Sequence, residues 1–497
     1  MLIEVEKDKG VNLMKNHYVS QFIIKKFSSA INIFDIHTGK IDESKRSHKV
    51  FYKDDIYDEE IEKLVNCNIE SKVSNILNNK ILVEGGVKLT RKELDILKRY
   101  MLICSVRTQS EEQFCKALKK YESKADKYIN IHNEISFLKK TKDLNLSDNE
   151  LYLRTLKVFA QAEYIHDIIS NPLATREMLA WAISFLESYI AFWDTPKDKE
   201  YILTDCGMCS EYEGFHILTG LIGGVSKESY IRKQIYSGKR EYANLLASCY
   251  VMPENYNIYN LSPTRCMVAI NPFFSLYYGA QYTSNENDKL DEIFMFDVPD
   301  IWPAIIQNKT LFDIPERRYS HSNEPLSHFA YDDEFIYKPK VLTNEDLIYI
   351  NTLMLSQTED IIGFNDATKI IDSIYYYVWH DANFNSVKNS NQPENEVIDN
   401  LFDNIYKSPY GNLCNYCDSK GGINKTEFIF LFEKLVNNIY KDFNENPYIC
   451  EYFLSMPEET AKCKALDFLG EGEKKLETFK RFLDRINEER KNAKYVI

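Results

Sequence analysis

Long apolar runs are missing from this 497-residue sequence, and none reaches the roughly 18 to 20 residues that a membrane-spanning helix requires. The first residues, MLIEVEKDKGVNL, lack the basic start and apolar middle of a secretory signal peptide. Glycine and proline are scarce, at 17 and 14 residues, while asparagine, lysine, isoleucine and tyrosine are abundant. We therefore expect a cytoplasmic protein with no membrane partner, and the composition suggests an AT-rich bacterial genome.

Positive charge is in deficit, because 61 Lys and Arg residues face 75 Asp and Glu residues and leave a formal net charge of -14. Proteins that coat nucleic acid non-specifically need many cations to neutralise phosphates, so this class is disfavoured. A local basic groove for nucleic acid stays open. The 44% hydrophobic and 27% charged residues are typical of a folded globular protein.

Several motifs of known chemistry are also missing. The sequence contains no G-x-x-x-x-G-K-[ST] loop, no G-x-G-x-x-G loop, no H-E-x-x-H and no G-x-S-x-G. Nucleotide hydrolysis by a phosphate-binding loop is therefore disfavoured. The loop PERRYSHS places Arg317, Arg318 and His321 close together, faintly like the arginine and histidine of some ribonucleases, but a solvated loop is the favoured interpretation.

The eleven cysteines are scattered through apolar segments, which is typical of reduced core thiols in the cytoplasm. Two pairs have the C-x-x-C spacing of a zinc site, Cys206 with Cys209 and Cys414 with Cys417. Because roughly two hundred residues separate the pairs, the sequence does not favour a shared zinc. Cys206 as a nucleophile, with His17 as its base, is likewise disfavoured against a small core thiol.

Periodicity predicts an α+β fold that is predominantly helical, with a small amino-terminal β element and a modest central mixed or antiparallel sheet. INIFDIHTGKI predicts a hairpin, and apolar residues recur at helical spacing from Asp58 to Asn79. Capping boxes predict helix starts at Thr90 and Ser147, and Thr343 begins a further helix that extends to IIGF. TREMLAWAISFLESYIAFW is also predicted to be helical.

Changes of pattern predict three parts of the chain. Residues 1–195 form the amino-terminal β element and long helices, residues 196–366 form a central α+β part, and residues 367–497 form a helical carboxy-terminal domain. The last helices are interpreted as a plain helical domain. Self-association or a protein partner on these helices is the alternative.

Four polar residues stand out within apolar segments. His17 and Gln21, in KNHYVSQFIIKKF, share a face if that segment is helical. Glu70 lies at the edge of an apolar helical stripe, and Arg107 lies one turn beyond a buried helix face. We therefore expect these side chains to be either a functional pocket or a buried polar cluster.

Eight short motifs occur in a characteristic order between roughly Lys15 and Phe364. They are NHYVSQFIIKKF, INIFDIHTGKI, VFYKDDIYD, NIESKVSNIL, SVRTQSEEQF, YILTDCG, LSPTRCMVAINP and NTLMLSQTEDIIGF. This order resembles the family of domain of unknown function 4238. The resemblance implies that the family positions here are His17, Gln21, Glu70, Arg107, Asp205 and Pro263. The usual Asp-Asn-Pro turn of the family is Asp205-Cys206-Gly207 in this chain, and the resemblance implies no activity.

Residue chemistry then suggests a hydrolase of phosphodiesters, a nuclease-like effector. His17 could be the general acid or base, and Arg107 could hold a phosphate. Glu70 and Asp205 could orient His17 or bind Mg²⁺ or Mn²⁺ with it, and Gln21 could position the substrate. A role in phage defence is a hypothesis drawn from the inferred bacterial source, with no residue behind it.

Two other readings use the same residues. In the first, a non-enzymatic binding or regulatory protein holds an anionic ligand or partner in this pocket. In the second, a buried pair of Arg107 and Glu70 joins two helices, and His17 and Gln21 cap backbone groups of the small sheet.

Overall fold

Helices and several small sheets build an α+β fold in the computed structural model, so the predicted fold class is confirmed. The structure describes residues 15–54, 56–107, 114, 146–165, 167–175, 178–179, 181–182, 185, 188–212, 254–270, 316–318, 332–383 and 406–421. In these ranges no helix is long and apolar enough to cross a membrane. The predominance of helix stays a prediction.

The helices follow the predicted order along the described chain. They are α1 (Gln21–Phe27), α2 (Glu59–Val65), α3 (Ser71–Ile76), α4 (Arg91–Val106), α5 (Asp148–Gln161), α6 (Asp167–Ser170), α7 (Asn344–Ser356), α8 (Ala367–Asn383) and α9 (Gly411–Lys420). Capping boxes open α4, α5 and α7, where the hydroxyls of Thr90, Ser147 and Thr343 accept hydrogen bonds from backbone amides. The predicted helix starts are confirmed.

The strands form four sheets in the described part of the chain. They are β1 (Lys15–His17), β2 (Ala30–Asp35), β3 (Lys40–Arg46), β4 (Tyr52–Asp54), β5 (Val87–Thr90), β6 (Tyr189–Asp194), β7 (Leu203–Thr204), β8 (Met208–Tyr212), β9 (Glu254–Ser262), β10 (Arg265–Ile270), β11 (Glu316–Arg318), β12 (Glu334–Tyr337), β13 (Lys340–Val341) and β14 (Ile361–Phe364). The strand orders are β1-β4, β3-β2-β14-β7, β13-β6-β10-β9-β8 and β11-β12-β5. Only β13 and β6 pair in parallel among these strands.

The helix predicted from Asp58 to Asn79 contains two π turns. α2 continues through the π turn Asn66–Glu70 into α3, which continues through the π turn Leu77–Ile81. A π turn accommodates one extra residue and recurs at functional sites. Because no propensity distinguishes a π turn from an α turn, the sequence pattern predicted only a continuous helix.

Two segments predicted as helical ends are strands. β6 pairs with β10 and β13, and β14 pairs with β2 and β7. Both segments are short and rich in aromatic or β-branched residues, so they fit a half-buried pleated surface. The prediction was wrong because short apolar runs do not distinguish a helix end from a strand.

The hairpin predicted in INIFDIHTGKI is confirmed, because β2 and β3 pair across its turn. β9 and β10 form a second hairpin around Pro263 and Thr264, which the sequence did not predict. Much of the predicted central α+β part, residues 213–253 and 271–315, lies outside the described residues, as does the predicted carboxy-terminal domain after residue 421.

Two hydrophobic clusters bury the apolar faces. The larger contains side chains from α1, α2, α4, α5 and the five-stranded sheet, while the smaller contains side chains from β14, α8 and α9. Phe34 of β2 and Ile202, which precedes β7, belong to the smaller cluster. α8 packs against α7 on one side and α9 on the other. The three-part division of the chain stays a prediction.

The buried carboxylate of Glu200 binds the backbone just before α8. Glu200 Oε1 accepts hydrogen bonds from the backbone amides of Asn365 and Asp366, both at 2.8 Å. Its Oε2 is buried and has no hydrogen-bond partner among the described residues. Burial raises the pKa of Glu200 from 4.5 to about 7, although the two amides act to lower it.

Glu200 should therefore give the protein a pH-dependent stability. Between pH 4.5 and 7 the folded chain holds a proton that the unfolded chain releases, so the free energy of unfolding should fall as the pH rises through this window. Glu200→Gln should remove this component, which amounts to about 3 kcal/mol. Urea denaturation of both proteins from pH 4.5 to 8 measures the difference, and a difference that is independent of pH would contradict the assignment.

Candidate functional site

The side chains of His17 and Gln21 contact each other across the short connection between β1 and α1. His17 is the last residue of β1 and Gln21 is the first residue of α1, so the segment is not one continuous helix. The amide Nε2 of Gln21 nevertheless lies 3.2 Å from Nδ1 and 3.2 Å from Nε2 of the imidazole. The Gln21 amide can therefore donate to whichever ring nitrogen carries no proton.

His17 is held in its neutral form. Burial is the main reason that its pKa is lowered from 6.5 to about 4, while a hydrogen bond with the backbone of Ser47 opposes the shift. The charges of Arg107 and Glu70 also act on His17, in opposite directions. Within the described residues, Gln21 and Ser47 orient the ring, which is the role predicted for Glu70 and Asp205. At neutral pH the imidazole is free to accept a proton.

Glu70 lies at the end of the first π turn and is bound from two sides. Ser20 Oγ and Arg107 Nη1 each donate to Glu70 Oε1, at 2.6 Å. Ser20 is the N-cap residue of α1, yet its hydroxyl makes no capping bond to that helix. Arg107 follows the last residue of α4, so its guanidinium lies at the carboxy-terminal end of that helix.

Two tyrosines extend this network into the core. The hydroxyl of Tyr100 donates to Ser20 Oγ at 2.9 Å and hydrogen-bonds to the hydroxyl of Tyr259. Burial raises the pKa of both tyrosines well above 10, so both stay neutral. Ser20, Tyr100 and Tyr259 were not predicted from the sequence. Ser20 stands between His17 and Gln21 in the opening motif, and this position was the available signal.

Arg107 has donors that no described residue uses. Its Nε and Nη2 are buried and have no hydrogen-bond partner among the described residues, and neither do the hydroxyls of Tyr57 and Tyr152. Arg107 acts on the pKa of both tyrosines, although burial dominates and raises both. Burial by itself would lower the pKa of Arg107, but Tyr57 and Glu70 raise it, so the guanidinium stays charged.

Asp205 lies in a different environment from the other four predicted residues. Its carboxylate accepts hydrogen bonds from the backbone amides of Glu359, Asp360 and Ile361, at the start of β14. Its charge acts on Tyr18, the neighbour of His17. The described contacts therefore tie Asp205 to the strand and not to His17, Glu70 or Arg107.

The predicted cysteine pairs lie in separate places. Cys209 is buried in the larger hydrophobic cluster, whereas Cys414 and Cys417 are buried in the smaller one. Cys206 donates to the carbonyl of Gln357 at 2.6 Å. In the described ranges, no group of three or more His, Cys, Asp or Glu side chains could hold a metal ion.

The PERRYSHS segment is partly a strand. Glu316–Arg318 forms β11 and pairs with β12, so this part of the predicted loop was wrong. His321 lies outside the described residues.

Comparison with known families agrees with the order of motifs. The model of a family described as protein of unknown function, DUF4238, matches residues 15–367. The chain belongs to the DUF4238 family. The predicted resemblance is thus confirmed, and the match covers the strands and helices that carry the whole candidate site. No curated protein and no solved structure matches this DUF4238 chain.

The arrangement in this DUF4238 protein combines a neutral imidazole with a guanidinium that has donors unpaired among the described residues. His17 can accept a proton, Gln21 can hold it in place, and Arg107 can bind an oxyanion with the donors that Glu70 does not occupy. Such a set serves either hydrolysis or binding of a phosphate.

Proposed function

We propose that this protein is a phosphate-directed hydrolase that acts on phosphodiesters, in the manner of a nuclease. The observation that supports the proposal is Arg107, which is buried beside neutral His17 and keeps two nitrogens unpaired among the described residues. An unpaired buried guanidinium edge is costly unless an acceptor fills it. A phosphate oxygen is such an acceptor.

Each residue has a distinct role in the proposed reaction. His17 takes the proton of the attacking water, and Gln21 keeps the imidazole in position. Arg107 binds a phosphate of the substrate beside the scissile phosphodiester. Glu70 and Ser20 fix the guanidinium and are positioning residues. Asp205 has no role in the proposal, because three backbone amides occupy its carboxylate.

A basic border beside His17 supports nucleic acid as the substrate class. α1 packs against the turn Ser47–Lys49. Lys25 of α1, Lys49 of the turn and Arg46, which immediately precedes the turn, are exposed. Such cations attract phosphates even though the whole chain carries a charge of -14. The cytoplasmic location and a role in phage defence belong to this proposal, on the grounds given by composition alone.

The observation that favours binding without hydrolysis is the weakness of the available base. Glu70 Oε1 already accepts from Ser20 and Arg107, and the pKa of His17 is lowered by burial to about 4, so its imidazole binds a proton weakly. A pocket that only holds an anionic ligand or partner needs no base at all. This regulatory or binding protein is the second candidate.

Hydrolysis is tested with labelled RNA and DNA, with and without Mg²⁺ or Mn²⁺. His17→Gln should lower kcat/KM by about 100-fold or more, which is the usual contribution of a general base. Because the pKa of His17 is about 4, the acidic limb of the pH profile should fall near pH 4 and not near 6.5. Both results come from one set of rate measurements.

His37→Gln is the matched control. His37 is exposed and pairs with Asp360 at 2.8 Å, so its replacement should leave the rate unchanged. Wild-type protein that cleaves neither nucleic acid, or a His17→Gln variant as active as wild type, would contradict the proposal. Phosphate binding without cleavage would favour the binding protein.

A further inference from the structure

The unused edge of Arg107 has a counterpart elsewhere in the same protein. Arg265 donates from Nε to Asp194 Oδ1 at 2.6 Å and from Nη2 to Oδ2 at 2.7 Å, so this edge grips an oxyanion with two parallel bonds. In Arg107 the other terminal nitrogen, Nη1, holds Glu70, and the same Nε and Nη2 edge has no partner among the described residues. The free edge is therefore the one suited to two oxygens of a ligand.

Two tyrosine hydroxyls supply further donors near this edge. Tyr57 lies two residues before α2, Tyr152 lies on α5, and α5 packs against both α2 and α4, the helix that Arg107 follows. Neither buried hydroxyl has a partner with hydrogen-bond geometry among the described residues, although the Glu62 carboxylate lies near the hydroxyl of Tyr57 and raises its pKa. The charge of Arg107 acts on both tyrosines. Leaving several donors buried and unpaired in one place carries a cost that a packed core normally avoids. Their accumulation at Arg107 indicates a place for an acceptor.

We infer that the Nε and Nη2 edge of Arg107, with the hydroxyls of Tyr57 and Tyr152, forms a subsite for a terminal phosphate group. This inference rests on the proposed function and names its substrate class, a chain or nucleotide that ends in a phosphomonoester. The donors match the several oxygens of a terminal phosphate, each of which can accept more than one hydrogen bond.

Burial decides between the end of a chain and its interior. Arg107, Tyr57 and Tyr152 are exposed by 3%, 4% and 2%. An internal phosphodiester needs two exits for its continuing strand, whereas a terminal phosphate needs one. A subsite with walls this closed therefore selects an end. The carboxylate of Glu62 also lies close to Tyr57 and raises its pKa. Its negative charge repels an anion, so the subsite can hold one only if the anion forms most of its hydrogen bonds with Arg107, Tyr57 and Tyr152.

Inorganic phosphate is the direct probe. Titration calorimetry of the full chain, at constant ionic strength with acetate as the comparison anion, should show phosphate binding that acetate does not reproduce. Tyr57→Phe and Tyr152→Phe remove only hydroxyls that form no hydrogen bond of good geometry with the described residues, and the loss at Tyr57 also relieves the nearby Glu62 carboxylate, so both variants should keep the thermal midpoint. Each should weaken phosphate binding by roughly tenfold or more, the loss expected for a hydrogen bond to a charged group.

Tyr406→Phe is the control, because its hydroxyl bonds to Asp418 beside the smaller hydrophobic cluster. It should bind phosphate as wild type does. RNA and DNA with a phosphorylated end should compete with phosphate at least tenfold better than the same strands with hydroxyl ends.

The outcomes separate this inference from the proposed function. Absence of phosphate binding, or Phe variants that bind as wild type does, would overturn the subsite and would indicate that only water fills it. Hydrolysis that ignores the terminal phosphate would overturn the subsite and leave the hydrolase standing. Phosphate binding that depends on Tyr57 and Tyr152, without any hydrolysis, would support the subsite and overturn the hydrolase.

Discussion

Replacing Arg107 by alanine should lower the free energy of unfolding by about 3 to 5 kcal/mol and abolish phosphate binding and hydrolysis. Arg107 and Glu70 form an ion pair at 2.6 Å in which the two side chains are 2% and 15% exposed. Without the guanidinium, Glu70 keeps its charge in a largely buried position with Ser20 as its remaining donor. Urea denaturation gives the loss of stability, and calorimetry with phosphate gives the loss of binding.

A double variant separates the two losses. Arg107→Met with Glu70→Gln leaves no uncompensated charge, so it should recover at least half of the lost stability and none of the hydrolysis. Arg107→Ala that unfolds at the wild-type urea midpoint would contradict the burial of the pair. A double variant with wild-type activity would remove Arg107 from the proposed mechanism.

Because the ion pair of Arg107 and Glu70 is buried, Arg107→Ala alone cannot distinguish a catalytic role from a structural one. A loss of stability is expected whether the pair serves hydrolysis or only joins the first π turn to α4. The changes that discriminate are those that remove chemistry without removing a buried charge. His17→Gln and Tyr57→Phe are of this kind.

Asp205→Ala should lower the free energy of unfolding by about 4 kcal/mol while each folded molecule keeps its activity. The carboxylate accepts from the amides of Glu359 and Ile361 at 3.2 and 3.1 Å, and from Asp360 between them. Without it, these amides lose a charged acceptor at the point where β14 enters its sheet. Denaturant unfolding measures the loss, and rates are compared per folded molecule.

Asp205→Asn is the matched control for this site. The amide oxygen can keep part of the hydrogen bonding, so the loss should be about half of that caused by alanine. An Asp205→Asn variant that folds as wild type does but has lost hydrolysis would restore the role that residue chemistry suggested for Asp205.

The helices with distinct ends could be predicted from sequence, and the short strands that follow an apolar helical pattern could not. Thr90 and Ser147 supply hydroxyls whose capping bonds are local, so the starts of α4 and α5 follow from a few neighbouring residues. β6 and β14 form only because β10, β13, β2 and β7 lie beside them. Pairing with distant strands leaves no local signal.

The candidate site divides in the same way. His17, Gln21, Glu70 and Arg107 were identifiable because polar groups stand out in apolar segments. Tyr57 and Tyr152 could not be identified in this way, because the sequence contains 34 tyrosines. What distinguishes these two is a buried hydroxyl without a hydrogen-bond partner among the described residues. Whether a hydroxyl is paired depends on tertiary packing, which residue type does not reveal.

The π turn Asn66–Glu70 makes the site depend on the number of residues as well as on their identity. Each residue of an α-helix rotates the next side chain by about 100°, so a homologue with one residue fewer in this turn would point Glu70 away from Ser20 and Arg107. An alignment that places a one-residue gap between positions 66 and 70 would therefore mark a relative without the ion pair, even where the glutamate and the arginine are both present.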